Sequence, residues 1–424
     1  MRFVATGDSF ITRRMTEKEQ DQDLMSLIGE ADCRFTNLEV TTHHYEGYPS
    51  AMSGGTWAIA PPTVLSDLKY YQFNCVTWAN NHTLDYLYGG LEATERYLDE
   101  AGFVHAGVGK HLDAAAAPKY LESPAGRIAI IGATSTFHEF WRAGKQRGDS
   151  LGRPGVNPLR YQTTFYLNQK NMEHLQQVAA VTGINAEHEL AVKEGFALAG
   201  AQYKFGDYSF ELSEEEGMKR HLHEGDVKRI RAAIANAKRQ ADYVLMSIHT
   251  HEMGEGRKDV APDFLEDFAR LCIDEGAHAV IGHGPHIVRG IEIYKNRPIF
   301  YSLGNFIFQN DTVATLPHDF YEQYGIEGEA TVADALDIRS ANGTRGLGVN
   351  KKVWESVVPL WEMEDGKLTS LRLHPIELGF GLPRYERGWP KLSANLDVLY
   401  DLQRLSEPYG TKITIKDGVG HVSL

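Results

Sequence analysis

Short apolar runs alternate with amphipathic segments over residues 1–135, and this alternation restricts the fold more than any other feature. Arg2–Thr6, Cys33–Leu38, Cys75–Ala79 and Arg127–Ala133 read as strands, the last (RIAIIGA) as a buried one. Asp21–Ile28, Thr63–Tyr71 and Gly89–Ala101 read as helices, with Leu91, Thr94, Leu98 and Ala101 at helical spacing in the third. Such a pattern predicts an α/β architecture, with functional loops at the carboxyl ends of the strands. Residues 137–225, rich in Gly, Gln, Glu and His, break the rhythm and read as an inserted helical subdomain or lid, with helices over Asn168–Val181 and Glu187–Ala199. The rhythm then returns: a helix over Asp226–Ala241, a strand at Tyr243–Ile248, a helix over Pro262–Glu275 and a strand at Ala279–Ile281. Residues 311–346 read as a polar loop. Trp354–Trp361 and Lys367–His374 flank an Asp-Gly bend, a hairpin signal, and a last helix covers Ser393–Ser406. The expected division is therefore 1–136 and 226–310 as two halves of one core, 137–225 as the insertion, 311–346 as a loop, and 347–424 as a C-terminal hairpin and helix.

Five segments place hard or imidazole ligands at or just beyond predicted strand ends. They are Gly7-Asp8, Asn37-Leu38-Glu39, Asn80-Asn81-His82 with Asp85, His249-Thr250-His251-Glu252, and His283-Gly284-Pro285-His286. Taken singly, each has an ordinary reading: a capped turn, a helix start, a core histidine. Gathered at one sheet edge, they suit one or two divalent ions of the manganese, zinc or iron type. His249 and His251 alternate on an extended run, so one of the two is expected to face the site and the other its rim. The Gly284-Pro285 turn can aim His283 and His286 at one point.

Charge narrows the partners. Lys plus Arg is 43 and Asp plus Glu is 57, a net charge of −14, which disfavours non-specific nucleic-acid binding. The three cysteines form no CxxC pair, so neither a disulfide scaffold nor a cysteine zinc knuckle is expected. The N-terminal apolar run is too short for a signal peptide, and no stretch approaches the roughly 20 apolar residues of a membrane helix. A cytoplasmic protein without a membrane segment is the resulting expectation.

The strings GDSF (7–10), NLEV (37–40), ANNHTLDYLYGGLEAT (79–94), SIHTHE (247–252), IGHGPHIVRGIEIY (281–294) and PIFYSLGNFIF (298–308) together resemble the CapA family of capsule and poly-γ-glutamate biosynthesis proteins. That family is similar in layout to the calcineurin-like metallophosphatases. The resemblance covers roughly residues 1–310. It implies a four-layer αββα sandwich whose second sheet takes up the C-terminal hairpin. It also implies metal ligands at Asp8, Glu39, Asn81, His249, His283 and His286, a catalytic His82, and an Asp85 that orients His82. Phe10 departs from the metallophosphatase pattern, which has a histidine ligand there; His43 or His44 is the candidate substitute. Arg13, Arg14, Arg289 and Asn305 lie near these segments, and Arg13, Arg289 and Asn305 are expected to contact an anionic or peptide-like substrate. Trp141, Arg142, Lys145, Arg147, Arg153 and Arg160 of the insertion are further candidates. The implied activity is metal-dependent hydrolysis of a phosphoester or a γ-glutamyl amide. The alternative is a non-catalytic binding or assembly protein, which the missing ligand at Phe10 favours and the His82–Asn81 pair disfavours.

Overall fold

The computed structural model describes residues 1–424. The chain divides into two compact units, one formed by 1–158 with 228–424, the other by 159–227. Residues 137–158, which the sequence pattern groups with the insertion, belong to the larger unit.

The larger unit is an α/β structure with two main sheets. The first contains β1 (Arg2–Phe10) and β2 (Cys33–Leu38), then Cys75–Thr77 and Val104–Ala106, all parallel. The second contains β3 (Tyr243–His249) and β4 (Ala279–His283), parallel to each other and to Gly126–Thr134. Its outer strands are Arg297–Phe300, Ile291–Tyr294 and Lys119–Ser123. Strands buried on both faces read as continuous apolar runs, which is why Gly126–Thr134 and β3 carry so few polar residues.

One apolar cluster joins the two sheets. Phe3, Phe35 and Cys75 from the first pack with Ile128, Ile130, Leu245, Ile281 and Phe300 from the second. Phe3 stacks on Trp361 at 5.2 Å between ring centroids and meets Tyr243 edge-on at 5.3 Å. Each such side chain, fully buried, contributes about 1.5–3 kcal/mol. A second cluster covers the other face of the first sheet with Leu24, Leu27 and Ile28, Leu65 and Leu68, and Leu91 and Leu98, from helices Gln22–Gly29, Leu65–Tyr70 and Leu87–Glu100. Helix Asp263–Glu275 buries Phe264, Phe268 and Cys272, and Leu265, Ala269 and Ile273, two rows at i, i+4 spacing.

The C-terminal hairpin, Glu355–Glu364 and Lys367–Glu377, turns at Asp365-Gly366 as its sequence predicts. It joins the sheet that contains β1, not the second sheet, through antiparallel pairing of Arg2–Val4 with Leu360–Glu362. The free edge of β1 requires a partner there, and the hairpin supplies it. Further along, the same edge is taken by a strand that the pattern does not mark, β5 (Asn305–Phe308), paired parallel to β1 with Asp8 opposite Asn305. The change of neighbour falls at Gly7, where a Cβ would lie 2.0 Å from the Gly304 carbonyl oxygen.

Other elements depart from the pattern as well. The 159–227 unit is not all-helical. Besides helices Gln169–Thr182 and Ala186–Lys193 it holds a four-stranded sheet of Tyr203–Phe205, Tyr208–Leu212, Tyr161–Leu167 and Gly217–Leu222. These strands are short and partly exposed on both faces, so they lack a clean polar–apolar alternation. The polar segment 311–346 contains two short helices, His318–Gln323 and Val332–Arg339. No helix is long and apolar enough to cross a membrane.

Candidate metal centre

β1 and β2 of the first sheet and β3 and β4 of the second end at the same place. Asp8 lies on β1, Glu39 follows β2, His249 ends β3 and His283 ends β4. His249 and His283 sit side by side in register. All four are buried. Asp8 accepts hydrogen bonds from Asn37 Nδ2 (2.8 Å) and the Gly284 N–H (3.0 Å), so its carboxylate is aimed from two sides. Gly284 has φ +117°, and a Cβ on it would meet the Thr250 backbone at 2.8 Å; only glycine fits this turn. The turn then delivers His286, itself at φ 61°.

Around Asp8 stand His283 Nδ1 at 3.6 Å, His249 Nδ1 at 3.7 Å and His286 Nδ1 at 3.9 Å. Around Glu39 stand His249 Nε2 at 3.6 Å, His251 Nε2 at 3.8 Å and His286 Nδ1 at 3.8 Å. These separations exceed a hydrogen bond. Those that involve His249, His251 and His283 are close to the roughly 3.4 Å between two donor atoms that sit about 2.1 Å from one tetrahedral ion. Ligand atoms of Glu39, His251 and His286 all lie within 4.8 Å of one another.

Hydrogen-bond accounting reinforces the geometry. Seven buried polar atoms here have no partner: both oxygens of Glu39, Nε2 of His249, Nε2 of His251, both ring nitrogens of His283, and Oδ1 of Asn81. Each such atom costs about 1–3 kcal/mol if left unsatisfied. Buried polar groups in folded proteins nearly always have a partner, so a cluster of this size points to an ion or ordered water among them. Oxygen and imidazole donors of this kind fit a divalent ion of the zinc, manganese or iron class.

Electrostatics agree. Burial pushes Asp8 up to about 7, opposed by its hydrogen bonds from Asn37 and Gly284. Burial, with Asp8 and Asp85 nearby, holds Glu39 well above the usual carboxylate range. Burial drives His249 and His251 well below the ordinary imidazole value, and takes His283 and His286 to about 3. Neutral imidazoles beside carboxylates that resist ionisation are what a cation would convert into a ligand shell.

Neighbouring side chains hold the candidate ligands in place. Asn305 Nδ2 donates to the carbonyls of His286 (3.3 Å) and Val353 (2.9 Å), which leaves Oδ1 as acceptor for His286 Nδ1 at 2.9 Å. That bond places the proton of His286 on Nδ1 and its lone pair on Nε2. His82 Nδ1 lies 2.7 Å from Asp85 Oδ2, which also accepts the Ala58 N–H at 2.7 Å. Burial raises Asp85, while His82 and the backbone donors oppose the rise. Asn80 shapes the turn, donating to the Leu38 carbonyl and accepting the His82 N–H. Asn81 donates to the Gly54 carbonyl and keeps Oδ1 free.

Several sequence expectations are redirected. Both His249 and His251 face Glu39, because β3 ends at His249 and the two-residue alternation ends with it. Neither His43 nor His44 takes the place left by Phe10. His43 packs beside Tyr86 and lies near Thr41 and Glu46, and His44 is exposed. Phe10 instead meets the ring of His82 edge-on at 5.1 Å. Arg13 is engaged by Glu19 and the Arg387 carbonyl, and Arg14 by Asp67. Arg289 is fully buried and donates to the carbonyls of Glu252 (2.6 Å) and Lys258 (2.9 Å). These bonds brace the loop that carries His251.

The family model for the bacterial capsule synthesis protein PGA_cap matches residues 2–310, which include every one of these candidate ligands. The chain belongs to this family. Among the relatives of this chain, the uncharacterized proteins y4sH and y4uA of Sinorhizobium fredii are each 36% identical over 99% of this chain and 92% of their own length. The PGA biosynthesis protein CapA of Bacillus subtilis is 30% identical over 32% of this chain and 37% of its own. A solved structure, a hypothetical protein from Thermus thermophilus, aligns over 89% of this chain and 99% of that one, at 11% identity and a TM-score of 0.42.

Proposed function

We propose that this PGA_cap protein is a metal-dependent hydrolase built on a four-layer metallophosphatase-like sandwich. The observation that carries the reading is the set of seven unpartnered buried donor atoms on two converging sheets. Asp8, Glu39, Asn81, His249, His251, His283 and His286 would hold one or two divalent ions. Such an ion supplies Lewis acidity and a lowered pKa for water.

The chain's own groups do the rest. Asp85 fixes the ring of His82 through Nδ1 and directs Nε2 away from itself. His82 lines an open cavity beside the centre, where it is placed to give a proton to a leaving group. His286 lines the same cavity, and Asn305 fixes its orientation. The fold family supports a phosphoester as substrate, whereas the capsule-related relatives support an anionic polymer or peptide-like amide.

Inductively coupled plasma mass spectrometry on the purified protein tests the centre. Near-stoichiometric metal in the wild type, lost in Asp8→Ala and His283→Ala, is the expected result. A protein that takes up no manganese, zinc or iron would sink the hydrolase reading and leave the non-catalytic binding reading in its place.

A further inference from the structure

The cavity that exposes His82 and His286 has a volume of about 330 Å³, and its lining also carries Arg339, Arg345, Arg384 and Arg387. Four guanidiniums in one chamber are unexpected in a chain of net charge −14. All four lie beyond residue 310, outside the segment that the family model matches. Two of them are neutralised locally: Arg384 pairs with Asp337, and Arg387 pairs with Asp311 while lying over the Trp354 ring. The other two form no ion pair. Arg339 donates to the Thr56 hydroxyl, and Arg345 donates through Nε to the Arg339 carbonyl. Both of these acceptors are neutral, so neither guanidinium has its charge matched by a contacting carboxylate.

Position adds to the argument. Arg339 closes the helix Val332–Arg339, whose first turn is fixed by a capping box between Thr331 and Asp334. Its guanidinium also lies 5.6 Å from the Phe320 ring centroid. Arg339 is thus held on a short rigid element by a cap at one end and an aromatic face at the other. Preorganised guanidiniums recognise planar or tetrahedral oxyanions through paired N–H donors.

We propose that Arg339 and Arg345 form an oxyanion subsite, which binds a carboxylate or phosphate group of the ligand while the reacting bond faces His82 and His286. The proposal rests on the hydrolase reading for its second clause only; the subsite itself is a property of these arginines. It makes the segment 311–390, rather than the metal centre, the determinant of substrate choice.

Isothermal titration calorimetry with inorganic phosphate and with glutarate tests it, on full-length protein, before and after dialysis against a chelator. The variants are Arg345→Gln, at an exposed position with little structural role, and the double variant Arg339→Gln/Arg345→Gln. Thermal melts check that both variants fold. At least tenfold weaker binding of either probe in Arg345→Gln, and a larger loss in the double variant, is the expected result. Loss confined to phosphate assigns a phosphate-bearing ligand, and loss confined to glutarate a carboxylate-bearing one. Affinities unchanged in both variants, or no binding of either probe to the wild type, overturn the subsite. Metal content measured on the same samples separates the two readings. Arginine-dependent binding in a protein that never takes up metal would keep the subsite and sink the hydrolase, and arginine-independent binding in a metal-loaded protein would do the reverse.

Discussion

Glu39→Gln separates what the metal centre does for stability from what it does for ion binding. Both oxygens of Glu39 are buried without a hydrogen-bond partner, and three imidazoles stand 3.6–3.8 Å away. Burial and the nearby Asp8 hold this carboxyl well above its ordinary range, which favours its neutral form when no cation is bound. Glutamine copies that neutral form in shape and polarity, so the metal-free melting temperature should change by no more than about 1–2 °C. Ion binding should not survive, because the amide cannot supply an anionic ligand. An ion present at about 1,000 times its Kd stabilises by about 4 kcal/mol. Unfolding entropy near 2.1 cal/mol/K per residue gives about 0.9 kcal/mol/K for a chain of 424 residues. The wild type should therefore melt about 4–5 °C higher with saturating manganese or zinc, and Glu39→Gln should show less than about 1 °C. Differential scanning fluorimetry with and without chelator reads both numbers. Equal metal-induced increments in the two proteins would refute the assignment of Glu39. A metal-free Glu39→Gln protein several degrees less stable would refute the argument about its protonation.

Four further outcomes are expected. His82→Ala should retain the metal content of the wild type while turnover on any competent substrate falls by about 10²–10⁴; loss of metal together with activity would make His82 a ligand instead. Arg289→Met, which removes the donors to Glu252 and Lys258 but keeps most of the volume, should weaken metal binding about 10–100-fold by freeing the His251 loop, as measured by competition with a chelating dye. Gly284→Ala should lower both stability and metal content, since its Cβ meets the Thr250 backbone at 2.8 Å; a variant with wild-type metal content would contradict that contact. His278, away from the centre, is held by burial at about 4 and accepts the Val244 N–H at Nδ1. A base whose folded pKa lies below its unfolded value of 6.5 gives full stability above pH 6.5 and loses it as pH falls toward 4. The loss is about 1–3 kcal/mol after discounting for partial exposure, so the melting-temperature gap between wild type and His278→Gln should shrink over that window.

Much of the centre is legible in the sequence because strand ends are legible. An apolar run that stops at Asp8, Glu39, His249 or His283 announces both a buried strand and a group that has no reason to be buried. His251 escapes the pattern for a specific reason: two-residue alternation holds only as far as the end of β3, one step short of it. Arg289 departs from expectation because adjacency to His286 in sequence says nothing about direction, and its side chain turns inward to two carbonyls. The proposed arginine subsite does not stand out in the sequence: Arg339 and Arg345 are near neighbours in the chain, but only the fold brings them to the cavity that His82 and His286 line. Other elements do carry local signals. Thr331-x-x-Asp334 marks the start of helix Val332–Arg339, and Asp417-Gly418 between Ile413–Lys416 and Val419–Val422 marks the last hairpin.

The two sheets each bring half of the metal centre, and so do the two stretches of chain on either side of residues 159–227. Asp8, Glu39 and Asn81 come from the first stretch; His249, His251, His283 and His286 come from the second. Neither fragment alone assembles a complete set of donors. Ion uptake therefore reports that both stretches have docked, and during refolding it should lag behind the recovery of secondary structure. An ion bound by the proposed set would act as a rivet between two halves of the polypeptide. Cleavage within 159–227 should leave fragments that stay together in metal-replete buffer and separate more readily when the ion is removed.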